Sequence, residues 1–233
     1  MVDLATSGTF NFAPSIGECV LNAFSRIRIR GPMIKAEHLA TAQQEANLLQ
    51  VDWSNEGPTL WTVEEIDTLC VPGQSQYSVP AETIMLLNVT IGFGSPPAEQ
   101  QLTISPLSRQ EWTMIPDKLR QSRPTGYWFD RLIAAAFNLW PVPDQAYGLH
   151  YWLFRQIQDA SLAGAGNFEI PYRWLDAACA GLAYRLAIHY AQDLETQRKA
   201  QYDGPDGAYT KAAKQDTEDA GIWIVPMLGG YYR

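Results

Sequence analysis

Basic residues are in the minority: 17 Lys and Arg stand against 25 Asp and Glu in 233 residues, a formal net charge of −8. A protein that grips nucleic acid does so by displacing counterions with clustered Lys and Arg. The one compact basic run here is Arg26-Ile27-Arg28-Ile29-Arg30, read as the solvated edge of a helix end. Tight DNA binding is therefore disfavoured, while passage of DNA past an acidic wall is not. Histidine is scarce as well. His38, His150 and His189 fall in three different predicted elements, so none has a neighbour at the spacing of a nucleophile and its base or of a metal-ligand pair. Each is read as structural. There is no Gly-x-Ser-x-Gly elbow and no phosphate loop ending in Gly-Lys-Ser/Thr. Cys19, Cys70 and Cys179 are widely separated among apolar neighbours, without metal or redox spacing. They are expected as buried, reduced thiols of a chain that folds in a cytosol. No stretch reaches the roughly 20 apolar residues of a membrane span, and the opening residues lack the basic-then-apolar pattern of a secretion signal. The expectation is a soluble chain with no catalytic residue, no metal ligand and no cofactor.

Acidic residues are a separate case, because two carboxylates alone can hydrolyse a glycoside. Glu64, Glu65, Asp144 and Asp159 lie in a region that also holds Trp61, Trp128, Trp140 and Trp152. A glycan-binding or glycan-cleaving β module is thus the alternative reading; solvated positions on strand edges are the ordinary one. The stretch from Asp203 to Gly207 resembles a calcium loop only superficially. It lacks ligands at alternate positions and a closing Glu, and reads as a turn.

What the chain has is size and aromatic surface. At this length roughly 70% of the unfolded surface can be buried without disulfides or metals. Eight Trp, eleven Tyr and eight Phe exceed core needs and point to contact surfaces. The pattern divides into zones. From Pro14 to Asp52 it is helical, with Ile16, Val20, Leu21 and Phe24 on one face, a break at Gly31-Pro32, and Leu39, Ala42, Ala46 and Leu49 forming a second stripe. The two helices are expected to pack antiparallel. From Asn55 to Ala160 the chain reads as about six short strands. The clearest is the alternation Met85, Leu87, Val89, Ile91, Phe93. A capping box at Ser108 and Glu111 starts a short helix between strands. From Pro171 a helix carries Leu175, Ala178, Cys179, Leu182, Leu186 and His189 on one face, and a further helical run from Leu194 is interrupted at 203–207. The fold class is α+β: an antiparallel helical bundle interrupted by a small β-sandwich or meander. Residues 1–54 form the N-terminal helical hairpin, 55–168 the inserted β domain, 169–220 the C-terminal helices and 221–233 an extended arm.

The arm is the most distinctive segment. Ile222, Trp223, Ile224, Val225, Pro226, Met227 and Leu228 are apolar without helical period, and Gly229-Gly230 leads into Tyr231 and Tyr232. Such a segment either adds a strand to its own domain or docks on a neighbour by strand addition and aromatic anchoring. Left in water it is a liability. The glycine hinge favours a reaching segment, which makes these nine residues the candidate partner-binding site.

A series of short motifs in order resembles one known family. They are Ser105-Pro-Leu-Ser-Arg-Gln-Glu-Trp112, Ile115-Pro-Asp-Lys118, Arg123-Pro-Thr125, Tyr127-Trp-Phe-Asp-Arg131 and Leu139-Trp-Pro-Val-Pro-Asp144. Before them stand Ala23-Phe-Ser-Arg-Ile27, Ile29-Arg-Gly31, Glu45-Ala-Asn-Leu-Leu49, Asp52-Trp-Ser-Asn55 and Leu60-Trp61; after them Ile170-Pro-Tyr-Arg-Trp174, Ala180-Gly-Leu-Ala183 and Gln215-Asp-Thr-Glu218. Together they are similar to the head-to-tail adaptors of short-tailed bacteriophages, also called tail tubular protein A or head completion adaptors. The resemblance implies a structural virion protein, made in the host cytoplasm, with about twelve copies in a ring. Its partners would be the portal protein, the tail nozzle protein and further copies of itself. DNA would pass through without sequence-specific binding, and no membrane is involved. In the family the C-terminal segment reaches toward the portal. The interruption at 203–207 departs from the continuous last helix that the resemblance implies.

Overall fold

The computed structural model describes residues 12–56, 60–94, 99–161 and 166–216. Two helices come first, α1 (Ile16–Arg26) and α2 (Ala36–Glu56). Eight strands follow: β1 (Val63–Leu69), β2 (Gln76–Ser78), β3 (Thr83–Phe93), β4 (Gln100–Thr103), β5 (Ser105–Pro106), β6 (Gly126–Asp130), β7 (Ala136–Trp140) and β8 (Gly148–Arg155), with α3 (Arg109–Met114) between β5 and β6. Three helices complete the described chain: α4 (Leu175–Tyr190), α5 (Glu195–Asp203) and α6 (Ala208–Gln215). The class is α+β.

The helices gather about α4. Its middle, Ala177 to Ala183, is buried on every side, as expected of a helix that is apolar all round rather than along a stripe. Small residues permit this. A β-carbon added at Gly181 would lie 2.8 Å from the Tyr202 ring and 2.9 Å from Leu49, so α2 and α5 close in where a side chain is missing. Both α1 and α2 pack on α4, and Phe24 of α1 also meets His38 of α2, with ring centroids 5.9 Å apart. Burial of Ile16, Val20 and Phe24 follows the expected stripe, but Leu21 is exposed and Cys19 and Ala23 take its place. Leu39 likewise stays half in water while Ala42, Ala46 and Leu49 are buried.

Local chemistry sets the helix starts. Ser15 caps α1 in a full capping box with Glu18, so Pro14 precedes the cap instead of occupying the first turn. Ser108 and Glu111 do the same for α3, as the sequence predicts. The basic run does not continue α1. Arg28 turns at φ 67°, and the chain leaves in a form that buries Ile27. Arg26 then pairs with Asp176 and Arg28 with Asp193. The alternation of Arg and Ile is thus an inside-outside pattern with two of the charges met by carboxylates.

The strands form two four-stranded sheets, ordered β1-β8-β3-β4 and β2-β7-β6-β5. All pairs are antiparallel except β5 with β6. One core fills the space between them, with Val89, Ile91, Leu149 and Leu153 from the first sheet and Tyr77, Tyr127, Phe137 and Leu139 from the second. This is a sandwich. The chain crosses between sheets at buried Ile104, whose amide bonds Val89 carbonyl at 3.0 Å. In β3 the predicted alternation holds from Val89 onward. Before it, register shifts at Thr83/Met85 and Leu86/Asn88 put Leu86 inside, and leave Met85 and Leu87 half-buried. Leu102 is exposed, and Ile133 is fully exposed in the β6–β7 turn.

The pairing of the first strand with the last decides the join to the helices. Val63 faces Phe154, so the chain enters and leaves the sandwich side by side. Two adjacent chain ends need little room, and the sandwich fits between α2 and α4 without disturbing α4.

Candidate functional site

The nine arm residues Ile222, Trp223, Ile224, Val225, Pro226, Met227, Leu228, Tyr231 and Tyr232 lie outside the described residues. The last described element before them is α6. The segment ends as α6 does, at a cap on Asp216, whose side chain is 4% exposed. Arg173 donates to one Asp216 oxygen, and the Leu60 amide donates to the other at 3.3 Å. Three separate stretches of chain meet at this carboxylate: the entry to the sandwich, the turn before α4 and the end of α6. Behind it stands an aromatic cluster. Trp174 packs against Trp53 and Trp61 with ring centroids 5.1 Å away in both cases, and against Tyr209 at 5.5 Å. Trp53 donates to the Tyr202 hydroxyl at 2.9 Å, and Tyr209 to Glu56. The end of α6 is thus tied to the join between sandwich and helices.

The last two helices owe their arrangement to the turn at 203–207. A β-carbon at Gly204 would stand 2.2 Å from the Ala200 carbonyl oxygen, and one at Gly207 2.3 Å from that of Tyr202. Only glycine allows the chain to fold this tightly, and α6 then lies back on α4. The turn reading of this segment holds, and the single continuous last helix is replaced by two short ones.

The join itself is an ion-pair network. Arg155, at the end of β8, donates to Glu64 at 2.6 Å and to both oxygens of Glu169, at 3.0 and 2.5 Å. Glu169 also accepts the Gln158 amide at 2.8 Å, and Asn47 of α2 accepts that of Ala160 at 2.7 Å. The Arg155 side chain is 13% exposed. Hydrogen bonds from Arg155 hold the Glu169 carboxyl below its ordinary value of 4.5, against the effect of burial. Its contribution to stability is therefore present at neutral pH and lost as pH falls through that lowered value. Arg155→Ala should cost about 2–3 kcal/mol, since removing one partner leaves the other charge half-buried and unpaired. A double-mutant cycle with Glu169→Gln checks this, because coupled partners fail to add.

Of the four carboxylates considered for hydrolysis, Glu64 and Asp159 share one cavity, while Asp144 and Glu65 do not join them. Glu64 is engaged by Arg155, and with Asp159, Glu82 and Arg155 it lines a polar cavity of about 370 Å³. Asp144 accepts the Tyr147 hydroxyl at 2.7 Å, at the other end of the β1–β8 pairing. Glu65 projects from edge strand β1 into solvent. The tryptophans are mostly engaged as well. Trp61 lies on Trp174, Trp128 stacks on Trp112 at 5.5 Å and 21°, and Trp140 donates to the Asp117 carbonyl at 3.0 Å. Trp152 is the exposed one of the four.

Each histidine has structural partners. His38 accepts the Lys35 amide at 3.1 Å and packs on Tyr190; His189 meets Glu45, which also holds Arg185. His150, on the outer face of β8, sits between Asp67 (2.5 Å) and Glu99 (3.3 Å). Glu99 reaches it over Gly92 and Gly148, where any β-carbon would collide with its carboxylate. Burial pushes the His150 pKa down, but hydrogen bonds to Asp67 and then Glu99, with their charges, outweigh it and raise the value above 6.5. A raised imidazole contributes stability that is full below the unfolded value and lost as pH rises through the folded one. Between about pH 6 and 8 the protein should lose on the order of 1 kcal/mol or less, because Asp67 is well solvated. Urea unfolding across this window should show the slope, and His150→Gln should flatten it.

Among the described residues no cluster of three or more His, Cys, Asp or Glu is placed to hold a metal ion, and no helix is long and apolar enough to cross a membrane. The cysteines are buried as expected. All three are free thiols, and Cys19 and Cys179, 160 positions apart in sequence, line one cavity where α1 packs on α4. Against known proteins, no curated protein matches the chain. The family model described as SU10 adaptor protein matches residues 27–225, taking in both sheets and α2 to α6.

Proposed function

The chain belongs to the SU10 adaptor protein family, a family of structural phage adaptors, and on that premise we propose that it forms a ring joining the portal to the tail nozzle. About twelve copies would close the ring through one heterologous contact repeated around the axis. The genome would leave through the middle, and excess acidic charge would keep phosphates sliding past the wall instead of adhering. The division into residues 1–54, 55–168, 169–220 and 221–233 then separates two roles. Helices and sandwich make the body of the wedge, and the arm makes its link to the portal.

The family match over most of the chain carries this reading. One feature of the fold supports it. Arg155, Glu169 and Asp216 tie sandwich and helices together, which suits a part that transmits force between head and tail. The alternative of a glycan module has less support, because Glu64, which shares a cavity with Asp159, is paired with Arg155, and three of the four tryptophans are engaged within the fold. Cryo-electron microscopy of intact particles tests the proposal. A closed ring of this subunit against the portal is the expected result, and its location off the particle axis would overturn it.

A further inference from the structure

We propose that Cys19 and Cys179 form a dithiol site for small disulfides of neutral or positive charge, which reach it through the cavity between α1 and α4 and leave the two residues cross-linked. The proposal depends on residues within one chain and not on the assembly described above. The cavity has a volume of about 530 Å³ and is lined by both cysteines, with Phe12 at one side and Glu18, Arg26 and Asp176 among its polar groups. That space is ample for a molecule the size of cystamine. Cys179 is the more accessible thiol at 9% exposure, and Cys19 lies behind it at 1%. Both belong to one buried core cluster and line the same cavity at the contact of two packed helices.

The pair is asymmetric in a way that assigns the roles. Cys19 donates to Cys179, which lowers the Cys179 pKa with help from the Arg26 charge, although burial opposes it. The same bond and burial raise that of Cys19. Cys179 is the attacking thiolate. It displaces one half of the small disulfide, forming a mixed disulfide and releasing one thiolate. Cys19 then loses its proton and attacks the Cys179 sulfur, which expels the second half. Two electrons pass from the protein sulfurs to the small disulfide, which departs as two thiols carrying the two protons.

Charge at the mouth sets the selectivity. Arg26 is already bound to Asp176 at 2.9 Å and to Asn22 at 2.8 Å. Glu18, held by the Ser15 amide at 2.9 Å, leaves the opening net negative. Cystamine should therefore react about tenfold faster than glutathione disulfide, whose carboxylates are repelled. Cys70 is an internal control. It is buried in the sandwich, burial raises its pKa to about 11, and it lines neither cavity described.

The test treats the folded full-length protein with cystamine, blocks remaining thiols with iodoacetamide and measures intact and peptide masses. The expected product has lost two hydrogens, carries a Cys19–Cys179 bond and retains a free Cys70. Its unfolding midpoint should rise by about 5 °C or more, because the bond closes a long loop. Cys19→Ser should stop at a cystamine half on Cys179, and Cys179→Ser should resist reaction until unfolded. The proposal is overturned if the native wild type stays unmodified while all three thiols react in urea, if Cys70 reacts as fast as the pair, or if glutathione disulfide reacts as fast as cystamine.

Discussion

Replacing Trp174 by alanine should destabilise the helical layer by about 3–5 kcal/mol, the usual range for a buried tryptophan lost from a core. Trp174 is 2% exposed, and its ring is shared by four stretches of chain. Trp53 comes from α2, Trp61 from the entry to the sandwich and Tyr209 from α6; Trp174 itself precedes α4. No single neighbour can collapse into the space without abandoning another contact, which places the cost toward the upper end. The loss should appear in urea unfolding followed by far-ultraviolet circular dichroism, and Trp174→Phe should recover more than half of it. A second readout separates this cluster from an ordinary core position. Tyr209 of α6 packs on the ring, and Arg173, next to Trp174 in the chain, holds Asp216 at the end of α6, so hydrogen exchange in α6 should rise before that in α1. A loss of less than about 1 kcal/mol would mean that the cluster is a surface feature.

The residues behind that prediction were only partly legible in the sequence. Short-range chemistry was readable: Ser108 and Glu111 cap α3 as their spacing requires, the glycines at 204 and 207 turn the chain, and Val89 and Ile91 alternate into the core. Contacts that depend on a partner far along the chain were not. Leu86 points inward only because β3 shifts register against β8, and nothing within β3 specifies that. The meeting of Cys19 and Cys179 follows from α1 lying on α4, and a separation of 160 positions hides it. Likewise Arg155 looks like any strand-end arginine until Glu64 and Glu169 are brought to it. The helix stripes were half right for a related reason. A stripe argument assumes one buried face, whereas α4 is enclosed on all sides, and its neighbours expose Leu21 and Leu39 where that enclosure ends. The arm was legible as unusual, since apolar residues without period have few uses in water.

Removing residues 221–233 should abolish binding to the portal while leaving the fold intact. The described cores are built from residues before 217, and α6 is closed by its own cap at Asp216, so the unfolding midpoint should move by less than about 3 °C. Binding is another matter. Trp223, Tyr231 and Tyr232 are of the residue types that dominate interface energies, each worth about 2 kcal/mol or more when fully desolvated. Loss of two such anchors weakens an equilibrium by about a thousandfold. Measured by pull-down or light scattering against assembled portal, the truncated protein should stay unbound at concentrations where the full chain saturates. Alanine at the three aromatic positions alone should give most of this loss without shortening the chain. The two measurements discriminate between the readings of the arm. If truncation lowers the midpoint steeply, the segment completes its own subunit. If both stability and portal binding survive, attachment runs through a surface of the sandwich or the helices. Only stability retained with binding lost fits an arm that orders on its partner, where a segment too apolar for water and too short for a core of its own finds the surface that buries it.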